Sequence, residues 1–312
     1  MWSVASGGRT LEGPKVPGLG AVRLMNKEME GRDHLSWRGT SLVWRGLDGL
    51  LAVGGRERVI PGLHLITKAF RHPDRAILGL LLRARLARPG SQVEHARFLG
   101  WVSEQFAVDA AALHAEYVSS DFRREYTSRR EELRRYVGPQ RLGSSGGFTL
   151  EALYLIVRAA RPRVVVETGV LYGASSAHIL AALARNGEGE LHSLDLPHQP
   201  REPRHDFLVP QDLRGRWTLL IGDARDLLRP LLARLPALDL FYHDSLHTFE
   251  HMTWEYSTAF THLSPGGVLA SHDVRTISSL REIFRRNAFP TFCEQHGLVW
   301  RTFMNSGFAL RR

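Results

Sequence analysis

From Phe148 onward the apolar positions alternate between short continuous runs and longer stretches at helical spacing. Residues 150–160 carry a helical pattern, and Val164-Val165-Val166 reads as a buried strand. Residues 176–185 follow as a helix closed by Gly187, and residues 191–194 as a second strand. Strands at 217–221, 238–242 and 267–271 continue the series, interleaved with helices at 224–235, 249–262 and 277–286. Such alternation predicts a parallel sheet with helices on both faces. The ending differs, because residues 298–303 and 307–310 are separated only by Met304-Asn305-Ser306. That is too short for a crossover helix and predicts an antiparallel hairpin at the sheet edge. The expected fold class is α/β, five parallel strands finished by the hairpin to make seven.

Upstream the rhythm is purely helical. Ile77, Leu78, Leu81 and Leu82 recur at helical spacing before Gly90, and residues 93–106 and 107–117 continue in the same style. Asp121 is the expected cap of a further helix carrying Phe122, Tyr126, Leu133 and Tyr136. Gly138-Pro139 breaks it, and the glycine-serine run from Gly143 to Gly147 reads as a linker. Residues 1–60 are glycine-rich and irregular, with weak order expected apart from short strands around 41–44 and 50–53; Met25 and Met29 are alternative starts. The expected organisation is an N-terminal extension (1–60), a helical region lying over the site (61–145) and a sheet domain (146–312).

Composition narrows the class of protein. Cys293 is the only cysteine, so neither an intramolecular disulfide nor a cysteine-based zinc cluster can form, which fits a reducing, cytoplasmic setting. No run of about 20 apolar residues predicts a spanning helix, and the N-terminus lacks a signal pattern. The net charge of +9 raises the question of nucleic acid. The basic residues are scattered beside acids, and the one dense stretch, 123–135, also holds Glu125, Glu131 and Glu132. A mixed-sign run of this kind is a solvated helix face, so nucleic acid is disfavoured as a partner. An acidic substrate stays open.

Candidate chemistry sits at the carboxyl ends of the strands, where open α/β sheets bind ligands. The first turn reads Glu167-Thr168-Gly169-Val170-Leu171-Tyr172-Gly173-Ala174-Ser175-Ser176, with glycines for a tight turn and Ser175 or Ser176 as the expected helix cap. A nicotinamide site would place pyrophosphate here, and the Glu167 carboxylate would repel it. The carboxylate suits a cationic ligand such as S-adenosylmethionine. Asp195 ends the second strand, where ribose hydroxyls are gripped in this topology. Asp223 after the third strand either caps the next helix or meets an adenine amino group. His243, His247 and His272 gather on one rim with Asp244 and Asp273, while His251, a turn further on, reads as surface. His247 is the candidate general base, since imidazole titrates near neutrality.

Taken together, Glu167-Thr168-Gly169 through Ser175, Asp195, Gly222-Asp223-Ala224, the run from His243 to Glu250, Ser264-Pro265-Gly266-Gly267 and Ser271-His272-Asp273-Val274 resemble class I S-adenosylmethionine-dependent methyltransferases. Within that class they are similar to the bacterial small-molecule O-methyltransferase-like family related to macrolide sugar O-methyltransferases. The resemblance covers residues 148–312 and implies a Rossmann-like seven-stranded sheet. It implies Glu167, Gly169, Gly173 and Ser175 at the methionine end, Asp195 at the ribose, and Asp223 and Ala224 at the adenine. By analogy with catechol-type enzymes, Asp244 and Asp273 would share a magnesium ion that activates an acceptor hydroxyl; the equal alternative has Asp244 contacting the cofactor and Asp273 capping the next helix. The chain departs from the family's Asp-Gly-x-His in having Ser245 for the glycine. The implied activity is O-methylation of a small molecule in specialised metabolism. Helices over the site would supply acceptor contacts from Tyr117, Phe122 and Tyr126, which read equally as core aromatics. A macromolecule methyltransferase and a non-catalytic cofactor-binding scaffold are the rival readings, and homo-oligomerisation stays open.

Overall fold

The computed structural model describes residues 91–138, 147–274 and 287–312. The chain divides into two units, Met1–His64 and Leu65–Arg312, and every described residue belongs to the second. The expected extension, its short strands, the helix around Ile77 to Leu82 and the helix at 277–286 lie outside the described residues.

Seven strands form one sheet: β1 (Val164–Thr168), β2 (Glu190–Asp195), β3 (Trp217–Ile221), β4 (Leu238–His243), β5 (Leu263–Ser271), β6 (Val299–Phe303) and β7 (Ser306–Leu310). Their order is β3-β2-β1-β4-β5-β7-β6. The first five are parallel, and β7 runs antiparallel to both β5 and β6. The expected hairpin is present, with β7 tucked inside and β6 at the edge. The strand order reverses between β1 and β4, which opens the crevice where such sheets bind ligands.

Eight described α-helices cover the sheet: α1 (Ser91–Phe106), α2 (Ala110–Ser119), α3 (Asp121–Val137), α4 (Gly147–Ala160), α5 (Ala174–Asn186), α6 (Ala224–Leu232), α7 (Phe249–Phe260) and α8 (Ala288–Gln295). Successive strand residues point to opposite faces, so the continuous apolar runs feed two cores. Val165, Leu240 and Val268 pack with α1, α2, α4 and α5, whereas their neighbours Val166, Phe241 and Leu269 pack with α6, α7 and α8.

The helical N-terminal segment differs from expectation. Phe98 of α1 packs its ring 5.3 Å from Phe303 and 5.6 Å from Phe308, and Tyr117, Tyr126 and Leu133 join the same core as the sheet. Tyr117 donates its hydroxyl to His178 Nε2 at 3.0 Å, and Nδ1 of that ring donates to the Ala174 carbonyl at 2.8 Å. Burial pushes His178 down to about 4, which keeps it the neutral acceptor this arrangement needs. Tyr117, Phe122 and Tyr126 are thus core aromatics: α1 packs on β6 and α4, α2 packs on α4, the rings of α2 and α3 close on His178 of α5, and no described residue of α1 to α3 lines the cavity. Asp121 is the first residue of α3; the cap is Ser120, which accepts from the Arg123 amide at 3.1 Å.

Candidate active site

The turn after β1 is shaped by its neighbours. Gly169 has φ +84°, and a Cβ there would lie 2.2 Å from the Asp244 carbonyl oxygen. Only glycine lets the β1 and β4 turns pass this closely. Gly173 has φ +85°, and a Cβ would lie 2.6 Å from the His205 carbonyl oxygen. Its freedom therefore serves the packing of the loop after β2, and Gly173 does not reach the cavity wall. The helix α5 begins at Ala174 without a side-chain cap, so neither Ser175 nor Ser176 has the expected capping role.

Ser176 serves Glu167 instead. Its hydroxyl donates to Glu167 Oε2 at 2.6 Å, and Ser193 donates to the same oxygen at 2.7 Å. Glu167 is fully buried and lies behind the cavity wall rather than in it, because these two hydroxyls draw it inward. Its Oε1 has no partner. Burial raises its pKa to about 7 against the pull of the serine hydroxyls, with the Asp244 charge adding to the rise.

A cavity of about 800 Å³ opens between the strand ends, walled by Gly169, Ser175, Asp195, Asp223, Ala224, Asp244, His247 and Asp273 among others. Asp195 Oδ2 accepts the Val170 and Leu171 amides at 3.0 and 2.6 Å, and Oδ1 accepts the Leu196 amide at 2.8 Å. One carboxylate thereby ties the end of β2 to the β1 turn. His205 Nε2 stands 3.7 Å from Asp195, stacked at 3.5 Å on His198. Asp223 caps α6 through the Arg225 amide at 2.8 Å and faces the cavity, so the two roles left open for it are compatible.

At the β4 end, Asp244 and Asp273 are joined by two imidazoles. His247 Nε2 lies 3.4 Å from Asp244 Oδ1 and 3.2 Å from Asp273 Oδ2, and His272 Nδ1 lies 3.0 Å from Asp244 Oδ1. Tyr242 donates to Asp244 Oδ2 at 3.1 Å, and the Asn305 amide donates to Asp273. The two histidines are pushed apart. Burial and the neighbouring His243 lower the pKa of His247, only partly offset by Asp273 and Asp244. Burial opposes the charged form of His272 as well, but the hydrogen bond and charge of Asp244 prevail and raise it. His247 Nδ1 is shut off from solvent, so Nε2 is the nitrogen beside the cavity carboxylates.

Beneath this rim lies Glu255, a residue that the sequence reading missed. Its buried carboxylate receives His243 Nδ1 at 2.5 Å, Thr168 Oγ1 at 2.6 Å, Ser245 Oγ at 2.8 Å and His251 Nε2 at 2.9 Å. Burial alone would raise its pKa, yet His243, His251 and Thr168 hold it at about 2. His251, expected at the surface, is 6% exposed and belongs to this network. The legible signal was the His251–Glu255 spacing of four, one turn of α7 directly after the site. Ser245 uses its hydroxyl to reach Glu255.

Residues 166–274, a little over a third of the chain, match the model of a family described as a methyltransferase domain. That segment of the chain resembles a methyltransferase domain. This chain is similar to the O-methyltransferase TomG of Streptomyces achromogenes, involved in tomaymycin synthesis and solved in complex with S-adenosylmethionine. Identity there is 16%, covering 60% of this chain and 89% of that one, with a TM-score of 0.48. An O-methyltransferase from Bacillus cereus, solved in complex with S-adenosylhomocysteine, is similar at 15% identity over 65% and 97% of the two chains, with a TM-score of 0.46. The Podospora anserina methyltransferase PaMTH1, bound to S-adenosylhomocysteine, matches at 14% identity over 60% and 87%, with a TM-score of 0.45. No curated protein matches the chain. Among the described residues, no helix is long and apolar enough to cross a membrane.

Proposed function

We propose that this chain is an S-adenosylmethionine-dependent methyltransferase that methylates a hydroxyl oxygen of a small molecule, with His247 as the general base. The observation that carries the reading is His247 Nε2 poised within 3.4 Å of two carboxylates at the cavity wall. When bound, S-adenosylmethionine supplies an electrophilic methyl on sulfur. The chain's own residues suit it. Asp195 offers a carboxylate to ribose hydroxyls, and Asp223 with Ala224 borders the adenine. Leu196 and Leu246, 59% and 57% exposed on the cavity wall, offer apolar surface to the purine. Gly169, Ser175 and Asp244 line the methionine end, with the unpartnered Glu167 Oε1 behind them as a buried anion for the cationic end of the ligand. The acceptor hydroxyl would give its proton to His247 Nε2 as its oxygen takes the methyl from sulfur, with S-adenosylhomocysteine as the leaving group. Asp244 and Asp273 then hold the imidazolium. Rate comes chiefly from alignment, because no covalent enzyme intermediate is needed.

Magnesium does not fit this rim. It prefers an all-oxygen, near-octahedral shell that retains water, whereas the atoms that converge here are two carboxylate groups already spanned by imidazole nitrogens. No step is assigned to a metal. Turnover is expected to be equal in excess chelator and in millimolar magnesium. Activity lost in chelator and restored by magnesium would return Asp244 and Asp273 to the role of metal ligands.

S-adenosylhomocysteine is expected to bind with a micromolar dissociation constant, roughly −8 kcal/mol. Asp195→Ala frees the Val170 and Leu171 amides as well as removing the ribose acceptor, so it should weaken binding at least about tenfold. Glu167 adds a pH dependence. A cation favours its ionised form, and with a pKa of about 7 the affinity should fall about tenfold between pH 8 and pH 6. Glu167→Gln should abolish that slope. Calorimetry on the folded variants decides, and wild-type protein that binds no S-adenosylhomocysteine sinks the whole reading. Screening small hydroxylated acceptors against nucleic acid with labelled cofactor tests the substrate class.

A further inference from the structure

We propose that His95, His114 and Glu151 form a binding site for one zinc-class divalent cation, which fastens α1 and α2 to the start of α4. The three residues come from three helices, yet their donor atoms lie within 4.8 Å of one another. A single carboxylate oxygen, Glu151 Oε1, stands 2.5 Å from His95 Nε2 and 2.8 Å from His114 Nδ1. The two rings approach it edge to face, 4.7 Å apart, as two ligands of one centre must if they are to avoid each other. The side chains are 25%, 32% and 17% exposed, so an ion can enter and water can complete its shell.

Two imidazole nitrogens and one carboxylate oxygen, with a fourth position open to water, make a zinc ligand set. Magnesium and calcium, which take oxygen shells, are poorly matched by it. Ligand atoms around tetrahedral zinc stand about 3.4 Å apart, so the present nitrogen–oxygen separations must open by less than 1 Å. Half-buried side chains on helix surfaces make such a shift by small rotations. The site is separate from the active cavity, since none of the three residues lines it. Its place gives the ion a structural consequence. Glu94, beside His95, accepts the Met304 amide of the β6–β7 turn at 3.2 Å, so α1 already braces the hairpin next to Asp273.

The test uses the full, untagged chain, stripped with chelator and titrated with zinc by calorimetry. The Asp244–His247–His272 cluster also offers imidazoles, so the measurement is a difference between variants. Wild-type protein is expected to bind one equivalent more than the His95→Gln/His114→Gln double variant. Glu151→Gln should weaken that equivalent by more than about tenfold, at least what loss of an outer-shell partner costs. Cobalt provides a second readout, with tetrahedral visible absorption in wild-type protein that the double variant loses. Circular dichroism checks folding, and if the double variant fails to fold, Glu151→Gln decides alone. Equal stoichiometry and equal cobalt spectra across the variants overturn the proposal. A wild-type dissociation constant no tighter than about 1 mM, some −4 kcal/mol, overturns it too.

Discussion

His247→Ala is expected to lower turnover by about 100- to 10,000-fold, the range general-base assistance contributes, while S-adenosylhomocysteine affinity stays nearly unchanged. The separation of rate from binding follows from the geometry. His247 stands on the β4 turn against Asp244 and Asp273, whereas Asp195 and Asp223 follow β2 and β3, on the far side of β1 from β4. The pH profile carries the sign. A base works deprotonated, so the wild-type rate should rise with pH through the His247 pKa and then level. Burial lowers that pKa, so the rise should lie below the ordinary imidazole value of 6.5. In His247→Ala the limb should vanish. A variant with near-full turnover and the wild-type profile makes His247 a structural residue. A collapse of cofactor affinity instead places it on the wrong side of the cavity.

The rim was legible because it is written in strand ends. Once the apolar runs at 164–166, 238–242 and 267–271 are read as parallel neighbours, the residues just after them must share one edge, and Asp244, His247, His272 and Asp273 do. What lies underneath was not legible. Glu255 and His251 sit on a helix whose burial is decided by how α7 rolls onto the sheet, and a charged residue in an amphipathic pattern is ordinarily assigned to water. Ser176 has the spacing of a cap, yet its hydroxyl goes to Glu167, a contact that depends on the buried carboxylate needing a donor. The aromatics of α2 and α3 carried no sign of which surface they cover. Tyr117 and Tyr126 could be placed only by finding His178 between them, 61 and 52 positions along the chain.

Those buried contacts set the second large effect, at Glu255. Removing one partner of a buried ion pair leaves the other uncompensated and costs about 3–5 kcal/mol, so Glu255→Ala should lower the unfolding free energy by that amount in urea. The carboxylate joins the end of β1 through Thr168, the end of β4 through His243, the active turn through Ser245 and α7 through His251. It is a positioning residue for the turn that carries Asp244 and His247. Turnover should therefore fall while KM for S-adenosylmethionine holds. Glu255→Gln keeps the shape and one accepting oxygen, so it should recover part of both losses. The pH dependence supplies a separate readout. A carboxyl held at about 2 when folded and near 4.5 when unfolded contributes about 3 kcal/mol. That contribution is complete above the unfolded value and is lost as pH falls from about 4.5 toward 2. Wild-type stability should decline across that window, and the Gln variant should lack this part of the decline. Glu255→Ala with wild-type turnover and stability within about 1 kcal/mol of wild type, the size of an ordinary substitution, would show that the four hydrogen bonds hold nothing the active turn depends on.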